Sequence, residues 1–355
     1  MSNEFCLKDD LLEIVDNLGK DANLFEGKNI LITGGRGFLG RYFMAVFNHL
    51  NENLFNQPAT IFIIDNFITS GKLGDELPKY DNIIYYNHDV IKPIEKDLDC
   101  NLDFVIHAAG IASPFYYRAH PMETLDVATT GTRNMLDLSL KHRARFTFFS
   151  SSEIYGDPDP HYIPIPENYR GNVSIAGPRS CYDISKRLGE TLCYIYHTNF
   201  GLHTNVIRPF NIYGPGMQKN DYRVLPNFAS NIQNNERLKI YGSGNQTRTF
   251  CYITDAIVGF LLGISKGVYG EPYNIGNPVP EISMLDLVQK MKSLLKKNFN
   301  YDIIDHPDSY PSDEPQRRCP DIKKAKLQLN YKPKVSLDEG LVRFFDWAFT
   351  NYSKK

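Results

Sequence analysis

Short apolar runs alternate with longer segments of helical periodicity through the first two thirds of the chain. The apolar runs are rich in isoleucine, valine and phenylalanine, which is typical of buried strands, and they lie at residues 28–33, 60–65, 83–87, 104–108, 145–150 and 204–208. Between them, helical periodicity is found at residues 38–50, 121–142 and 182–200. Because strands that alternate with helices form parallel sheets, the pattern predicts an α/β fold with a doubly wound parallel sheet.

The pattern changes after Pro209. Residues 211–216 resemble a loop, and helical periodicity returns at residues 224–234, 285–297 and 337–350. We therefore predict three parts, namely a helical extension at 1–26, a Rossmann-type domain at 27–210, and a smaller α/β domain at 211–355 with some segments returning to the first. Ligands of such sheets bind outside the carboxyl ends of the strands, so the cleft between the halves is the expected site.

Composition and charge narrow the range of partners. The 355 residues carry a formal net charge of -2, which gives no reason to expect nucleic acid or a membrane surface. No run of about 18 apolar residues predicts a transmembrane helix, and carboxylates interrupt the apolar residues near the N-terminus, which argues against an export signal.

The six cysteines are scattered, which predicts reduced thiols in a cytoplasmic protein. His107 has no second ligand at metal spacing, so no metal is expected.

Three glycines at three-residue spacing, Gly34, Gly37 and Gly40, lie between the first apolar run and the first helix. Without side chains there, the backbone can approach a dinucleotide pyrophosphate, whose charge meets free N–H groups at the helix N-terminus. Asp65 ends the next strand and supplies a carboxylate for the adenosine ribose hydroxyls. That carboxylate would repel a ribose phosphate, which favours NAD over NADP, although Arg36 could neutralise such a phosphate.

Tyr182 and Lys186 are four residues apart on a predicted helix, so their side chains lie on one face about one turn apart. Free tyrosine has a pKa near 10, so a tyrosine that acts at neutral pH needs positive charge nearby. Lys186 and an oxidised nicotinamide ring would both stabilise the phenolate. Together with the glycine motif and the Ser-Ser-Ser-Glu run at 150–153, the pair predicts an enzyme that removes a proton from a hydroxyl beside a bound dinucleotide.

From about Lys28 to the C-terminus, the chain resembles the extended short-chain dehydrogenase/reductases that act on nucleotide sugars, the NAD-dependent epimerase/dehydratase family. Within that group it looks most like the UDP-glucuronate decarboxylases, also called UDP-xylose synthases. The segments that carry the resemblance are Asp-Asn-Phe at 65–67, Asn-His-Asp-Val at 87–90, Ser-Glu-Ile-Tyr-Gly-Asp-Pro at 152–158, Gly-Pro-Arg-Ser-Cys-Tyr-Asp at 177–183, Tyr-Gly-Ser-Gly-Asn-Gln-Thr-Arg at 241–248 and Pro-Gln-Arg-Arg-Cys-Pro-Asp-Ile at 315–322. The last three are specific to that subgroup.

The resemblance implies a reaction without net oxidation. Tyr182 would deprotonate the sugar's 4-hydroxyl while hydride passes from C4 to NAD, which leaves a 4-ketone. The C6 carboxylate of a glucuronate is then β to a ketone and departs as carbon dioxide through a stabilised enolate. Reprotonation at C5 and return of the hydride convert UDP-glucuronate to UDP-xylose, so a tightly bound NAD is recycled.

The resemblance also assigns catalytic and cofactor-binding roles. Ser151 would hydrogen-bond O4 of the sugar, and Glu153 would orient the sugar. Arg248 would meet the sugar carboxylate or order the water that reprotonates C5, or form a diphosphate salt bridge instead. With Tyr182 and Lys186 these are the expected catalytic residues. The expected cofactor contacts are Gly34, Gly37, Phe38, Leu39, Gly40, Asp65, Asn66, Asp89, Val90, His107, Ala108, Ala109, Tyr182, Lys186 and Pro209.

Substrate contacts follow from the same resemblance. Arg318 would grip the diphosphate bidentately, Asn211 would face it, and Arg223 could assist. Tyr117 would line the sugar pocket or pack under it. The full expected set is Ser113, Tyr117, Ser152, Asn211, Arg223, Tyr241, Arg248 and Arg318.

One position separates two reaction types, and others depart from the family pattern. Relatives that eliminate water across C5 and C6 carry an aspartate where this chain has Ser152, because the departing hydroxyl needs an acid to protonate it. The serine therefore argues against a 4,6-dehydratase. Relatives usually carry asparagine at the position of Ala128 and arginine at that of Gly216, and the run at 107–114 is also unusual. These departures affect the identity of the sugar more than the reaction type.

Two other functions stay open from the sequence. A 4-epimerase would oxidise and re-reduce C4 but keep the carboxylate, and a non-catalytic NAD-binding regulator would keep only the fold. Intact Ser151, Tyr182 and Lys186 argue against the regulator. The helices at 122–142 and 182–200 resemble those that pair relatives through a four-helix bundle, so a homodimer is expected, although core packing would give the same apolar spacing.

Overall fold

The computed structural model describes residues 5–69, 80–94, 100–305 and 314–352, so residues 1–4 of the expected N-terminal extension lie outside the described part. The strands in these ranges are β1 (Asn29–Thr33), β2 (Thr60–Asp65), β3 (Ile83–Asn87), β4 (Phe104–His107), β5 (Arg145–Phe149), β6 (Thr204–Pro209), β7 (Ile212–Tyr213), β8 (Leu238–Tyr241), β9 (Thr247–Arg248), β10 (Cys251–Tyr252), β11 (Pro272–Ile275), β12 (Ile282–Ser283), β13 (Tyr301–Ile304) and β14 (Arg317–Arg318). The helices are α1 (Lys8–Leu18), α2 (Phe38–Asn53), α3 (Pro114–Ala119), α4 (Pro121–Asp126), α5 (Thr132–His142), α6 (Ser180–Phe200), α7 (Val224–Gln233), α8 (Ile253–Lys266), α9 (Met284–Leu295), α10 (Lys323–Leu329) and α11 (Leu337–Asn351).

A seven-stranded parallel sheet forms the centre of the molecule. Its strand order is β11-β6-β5-β4-β1-β2-β3, and the helices between the strands cover both faces. β1 is buried on both sides, with Ile30, Leu31 and Ile32 fully inaccessible, as expected for a parallel strand between two helical layers. The predicted α/β fold with a doubly wound parallel sheet is confirmed. β11, from the second half of the chain, pairs with β6 at one edge of this sheet.

Two helices differ from their sequence-based description. The segment predicted as one helix at 121–142 contains a π-helical turn, Val127–Gly131, between α4 and α5. Helix α8 was not predicted at all. It is apolar around most of its circumference and almost wholly buried, so it shows no alternation of polar and apolar faces.

The N-terminal segment (residues 5–25) packs against both halves. Helix α1 lies on α8 and α2, and in the core the Phe25 ring packs edge-on against Phe47 and at a tilt against Phe104. Asp10 is completely buried and accepts hydrogen bonds from the Tyr252 hydroxyl at 2.7 Å and from Arg343 at 3.1 Å. The segment is therefore joined to the rest of the fold by buried polar contacts as well as apolar ones.

A small three-stranded sheet in the second half places two distant arginines side by side. In this sheet β9 lies between β12 and β14, and Arg318 on β14 is in register with Arg248 on β9. Both side chains are buried. Parallel pairing of two short strands thus brings residues 70 positions apart to one wall of the cleft.

Candidate active site

Two cavities adjoin at the carboxyl ends of the central strands. The first, of about 230 Å³, is lined by the glycine turn, by Asp65 and by residues after β3 and β4. The second, of about 440 Å³, lies between the sheet and the small domain and is lined by Tyr182, Arg248 and Arg318 among others. Ala112, Met217 and Arg223 line both cavities. The cleft predicted from strand polarity is therefore present and divided into two connected chambers.

The glycine turn makes a cradle that side chains would fill. Gly34 has φ +72°, and a Cβ atom built there would lie 2.7 Å from the Cα of Ala109. A Cβ on Gly40 would lie 2.4 Å from the carbonyl oxygen of Gly34, while Gly37 precedes the first turn of α2. The bare backbone and the helix N-terminus fit a dinucleotide pyrophosphate.

Asp65 is held in place by the backbone around it. Its carboxylate accepts hydrogen bonds from the N–H groups of Arg36 at 2.9 Å and Phe67 at 2.8 Å, one on each oxygen. Each oxygen keeps a further lone pair that can accept from a ribose hydroxyl. The Arg36 guanidinium lies 4.9 Å from the centroid of the Phe67 ring. Asp65 and Arg36, the two residues expected near the adenosine ribose, therefore lie close to each other.

Most of the expected cofactor contacts line the first cavity. They are Gly34, Gly37, Phe38, Leu39, Gly40, Asp65, Asn66, Asp89, Val90, Ala108 and Ala109. His107 and Pro209 line neither cavity, Tyr182 lines the second, and Lys186 lies behind Gly110, where an added Cβ would be 3.2 Å from its Nζ. Ser113, expected on the substrate side, lines the first cavity.

The side chain of His107 is buried in the protein and makes hydrogen bonds within it. Its ring is fully buried, Nδ1 lies 2.7 Å from the Thr33 hydroxyl, and Nε2 lies 3.2 Å from the Val127 carbonyl oxygen. Burial lowers the pKa of His107 to about 3, so the ring is neutral and Nε2 donates to that carbonyl. Thr33 accepts from the Ala109 N–H at 3.1 Å, and the chain of hydrogen bonds ties the loop after β4 to the π-helical turn.

Tyr182 and Lys186 both lie on α6, and Tyr182 lines the second cavity. Burial raises the pKa of Tyr182 to about 12, while a hydrogen bond with the Ser151 side chain lowers it in part. Lys186 is buried, its Nζ donates to the Phe149 carbonyl at 2.7 Å, and burial lowers its pKa to about 8. The Nζ is 5.8 Å from the centroid of the Tyr182 ring. Ser151, Tyr182 and Lys186 therefore lie close together, and positive charge on Lys186 would stabilise the phenolate form of Tyr182.

A network of three arginines and two glutamates forms a wall of the second cavity, which Tyr182 also lines. Glu153 pairs with both Arg179 and Arg318, and its hydrogen bond from Arg318 Nη2 is 2.6 Å long. Glu314 pairs with Arg248 and, at 2.7 Å, with Arg179. Sequence reasoning predicted Glu153, Arg248 and Arg318 for this site but missed Arg179 and Glu314. Arg179 does lie in the distinctive Gly-Pro-Arg-Ser-Cys-Tyr motif, and that motif could have identified it.

Asp183 completes the electrostatics of this wall. It neighbours Tyr182 on α6 and lies 3.4 Å from Arg179 Nε. Burial, together with the charge of Glu153, raises the pKa of Asp183. When Asp183 is protonated, three guanidinium groups face two carboxylates, and the wall then carries net positive charge that favours an anionic ligand; when Asp183 is ionised the charges balance.

The other expected substrate contacts divide into three groups. Tyr117 and Tyr241 line the second cavity, and the Tyr117 ring stacks on Tyr182 with centroids 5.5 Å apart. Asn211 and Arg223 line it too, but each already has a protein partner, the Thr249 carbonyl at 2.8 Å and the Asp221 carboxylate at 3.0 Å. Ser152 is buried and lines neither cavity.

Within the described residues, no cluster of three or more histidine, cysteine, aspartate or glutamate side chains is arranged to hold a metal ion. The described helices include none that is both long and apolar enough to cross a membrane.

Comparison with known proteins places the chain in a family. The model of the NAD dependent epimerase/dehydratase family matches residues 30–276. UDP-glucuronic acid decarboxylase 1 of Danio rerio is 41% identical over 315 residues, which cover 88% of this chain and 71% of that protein. UDP-glucuronic acid decarboxylase 6 of Arabidopsis thaliana is 39% identical over 327 residues, which cover 91% and 89%. A UDP-glucuronic acid 4-epimerase from Bacillus cereus, solved with UDP-4-deoxy-4-fluoro-glucuronic acid and NAD, has a TM-score of 0.76 and 26% identity, covering 91% of this chain and 99% of the other. The chain belongs to the NAD dependent epimerase/dehydratase family.

Proposed function

We propose that the protein is an NAD-dependent carboxy-lyase that converts UDP-glucuronate to UDP-xylose through a 4-keto intermediate. The observation that carries the proposal is the placement of Tyr182 in the same cavity as the buried pair Arg248 and Arg318. A hydroxyl can be deprotonated there next to groups that bind an acidic sugar. Decarboxylases in two organisms, at 39 and 41% identity, support the same activity.

The glycine turn and Asp65 would hold the cofactor. When bound, NAD supplies the acceptor that takes hydride from C4 of the sugar and returns it at the end. The chain's residues carry out the proton transfers. Tyr182, hydrogen-bonded to Ser151, accepts the proton of the 4-hydroxyl and returns it to O4 after carbon dioxide has left.

The three arginines of the wall suit both charged parts of the substrate. A UDP-uronate carries a diphosphate and a carboxylate, and Arg179, Arg248 and Arg318 are all buried at the second cavity. Because Arg318 already donates to Glu153, a bound anion would share or replace that partner. Burial lowers the pKa of Arg248 from its ordinary value, but a guanidinium is still a poor proton donor, so Arg248 would hold the carboxylate or order a water beside C5.

Ser152 supports decarboxylation over dehydration. It is buried beside Glu153 and has no acidic proton to give to a departing hydroxyl. The residue that would perform that step in a dehydratase is absent from this position of the sequence.

The direct test is incubation of the purified protein with UDP-glucuronate, without added NAD, followed by mass spectrometry of the nucleotide sugar. Decarboxylation removes the mass of carbon dioxide, dehydration removes the mass of water, and epimerisation changes no mass. We expect loss of carbon dioxide by the wild type and none by Tyr182→Phe. An unchanged mass with altered sugar stereochemistry would replace this proposal by the second candidate.

That second candidate is a UDP-uronate 4-epimerase. The structural similarity to the Bacillus cereus epimerase, solved with a fluorinated UDP-glucuronic acid, is the observation in its favour. An epimerase protects the 4-keto intermediate from decarboxylation and re-reduces it on the other face. Separation of UDP-galacturonate from UDP-glucuronate by chromatography tests for it.

We also propose a homodimer formed by α4 and α6. Their outer faces carry exposed apolar side chains, with Met122 and Tyr194 each 64% exposed and Leu188 46% exposed. A second copy of the chain would cover them in a four-helix bundle. Sedimentation should report a dimer for the wild type and a monomer for Leu188→Glu combined with Tyr194→Lys, and a monomeric wild type would contradict the proposal.

The proposal also covers the roles of the parts of the chain and the location of the protein in the cell. The part at 27–210 would bind NAD, the part at 211–355 would bind the nucleotide sugar, and residues 1–26 would form an extension. The position of the two cavities supports this division. We place the protein in the cytoplasm because its six cysteines are free thiols. Microscopy of a tagged copy tests that location.

A further inference from the structure

The N-terminal segment reaches the wall of the first cavity through Phe5. The Phe5 ring packs edge-on against Tyr42, with centroids 5.1 Å apart, and lies under the Arg41 guanidinium, whose central carbon is 3.8 Å from its centroid. On the other side it meets Gly216, where a built Cβ would be 2.1 Å from the ring. Phe5 therefore occupies space that exists only because position 216 is glycine.

Arg41 itself faces the first cavity beside the glycine turn. Its Nη2 donates to the Gly216 carbonyl oxygen at 3.2 Å, and Tyr42 donates to the next carbonyl back, that of Pro215, at 3.0 Å. The Nε of Arg41 is buried and has no hydrogen-bond partner among the described residues. No carboxylate among the residues that the structure describes forms an ion pair with Arg41.

The Arg41 side chain is partly buried, and a guanidinium in such a place without a carboxylate partner is costly. Burial, and secondarily the charge of Arg36, lower the pKa of Arg41 to about 10. Both arginines flank the glycine turn, to which a dinucleotide would bring two negative phosphates. An anion at this place would pair with the edge of the Arg41 guanidinium that lines the cavity and offset the repulsion between the two guanidinium groups.

We infer that Arg41 binds the pyrophosphate of the dinucleotide, and that Phe5 holds its guanidinium in position, so that the N-terminal segment forms part of the cofactor site. The inference rests on the dinucleotide binding of the proposed function but not on the sugar reaction. Phe5 supports one face of the guanidinium and the Gly216 carbonyl accepts from one of its terminal nitrogens, which leaves the cavity-facing edge for phosphate oxygens.

The test is a binding measurement on the full chain after removal of any copurified cofactor. Dissociation constants for NAD, ADP-ribose and adenosine are measured by calorimetry, since ADP-ribose keeps the pyrophosphate and adenosine lacks it. We expect Arg41→Gln to weaken NAD and ADP-ribose by about tenfold or more, as for loss of a charge-assisted hydrogen bond, and to leave adenosine unchanged. Arg41→Lys should lose less because it keeps the charge.

Phe5→Ala should weaken the two pyrophosphate ligands several-fold through misplacement of Arg41, whereas Phe5→Tyr should keep wild-type affinity. The matched control is Arg237→Gln, because Arg237 lies on the surface, pairs with Asp302 and is remote from the cavity. Circular dichroism and thermal melting identify variants that remain folded.

Two results would overturn the inference. One is unchanged affinity for NAD and ADP-ribose in folded Arg41→Gln and Phe5→Ala, and the other is an equal loss of adenosine binding, which would mean a distorted cavity. Absence of carbon dioxide release by the wild type would refute the proposed function alone, because these measurements do not depend on turnover.

Discussion

The carboxylate of Glu153 accepts hydrogen bonds from both terminal nitrogens of Arg318, although the two residues are 165 positions apart in the sequence. Glu153 follows β5 of the central sheet, and Arg318 lies on β14 of the small domain. The pair therefore joins the two halves across the second cavity. It also means that the residue expected to orient the sugar and the residue expected to grip the diphosphate hold each other.

The first prediction concerns this pair. Glu153→Gln should destabilise the protein by about 3 kcal/mol, because it leaves Arg318 buried without its carboxylate partner and removes one of the carboxylates that pair with Arg179. The matched control is Glu281→Gln, which removes a bidentate partner from the more exposed Arg317 and should cost at most about 1 kcal/mol. Urea denaturation of both variants gives the comparison. Equal losses of unfolding free energy in the two variants would show that burial adds nothing to the stability that the Glu153 network contributes.

The second prediction concerns the pH dependence of Tyr182. Burial raises its pKa to about 12 in the chain alone, so formation of the phenolate depends on nearby positive charge. Lys186→Met removes one such charge, and we expect the rising limb of kcat against pH to move to higher pH, with a lower maximum. Lys186→Arg should move the limb less. A Lys186→Met profile that is lowered but not shifted would assign Lys186 a purely structural role.

The third prediction separates backbone strain from steric contact in the glycine turn. Gly34 and Gly201 both have positive φ, +72° and +67°, but only a Cβ on Gly34 meets other atoms within 4 Å. Left-handed strain should cost each alanine variant about 1 kcal/mol of stability, and Gly34→Ala should lose more because its Cβ would meet the backbone of Ala109. Only Gly34→Ala should also weaken NAD binding, by at least tenfold in a calorimetric titration. Similar NAD affinities in the two variants would contradict the proposed cradle.

The fourth prediction concerns the anchoring of the N-terminal segment. Burial raises the pKa of Asp10 to about 6 from an ordinary value of 3.8, despite its hydrogen bond from Tyr252 and the charge of Arg343, while the charge of Glu13 adds to the rise. Because the folded state favours the protonated form, the stability contributed by Asp10 is full below about pH 4 and is lost as the pH rises through 6. The loss amounts to about 3 kcal/mol.

Urea denaturation between pH 4 and 7 measures this effect as the difference between the wild type and Asp10→Asn. That difference should shrink or reverse as the pH rises, whereas Asp9→Asn, an exposed neighbour on the same helix, should show a constant difference. A wild type that gains stability relative to Asp10→Asn on going from pH 4 to 7 would give the opposite sign and contradict the prediction.

The calorimetric comparison of Arg41→Gln with Arg237→Gln, described above, extends these tests to the cofactor site. Since Gly34→Ala and Arg41→Gln act on the same pyrophosphate, their effects on NAD affinity should not add in the double variant.

The sequence by itself determined the features that depend on local geometry. Gly34 and Gly40 had to be glycine, because a turn between a strand and a helix brings backbone against backbone, and Tyr182 and Lys186 had to share a helix face at four-residue spacing. The strand pattern fixed the parallel sheet and hence the edge at which ligands bind. Each of these is a property of neighbours in the chain, which is why periodicity and spacing could report it.

Only the tertiary structure decided which distant side chains became partners. The register of β9 with β14 placed Arg248 beside Arg318, and burial turned His107 into a neutral structural residue. The packing of Phe5 against Gly216 gave the N-terminal segment a place at the cofactor cavity. Pairing across a cleft and the loss of water around a charge depend on how separate segments approach one another, and no local pattern of residues contains that distance.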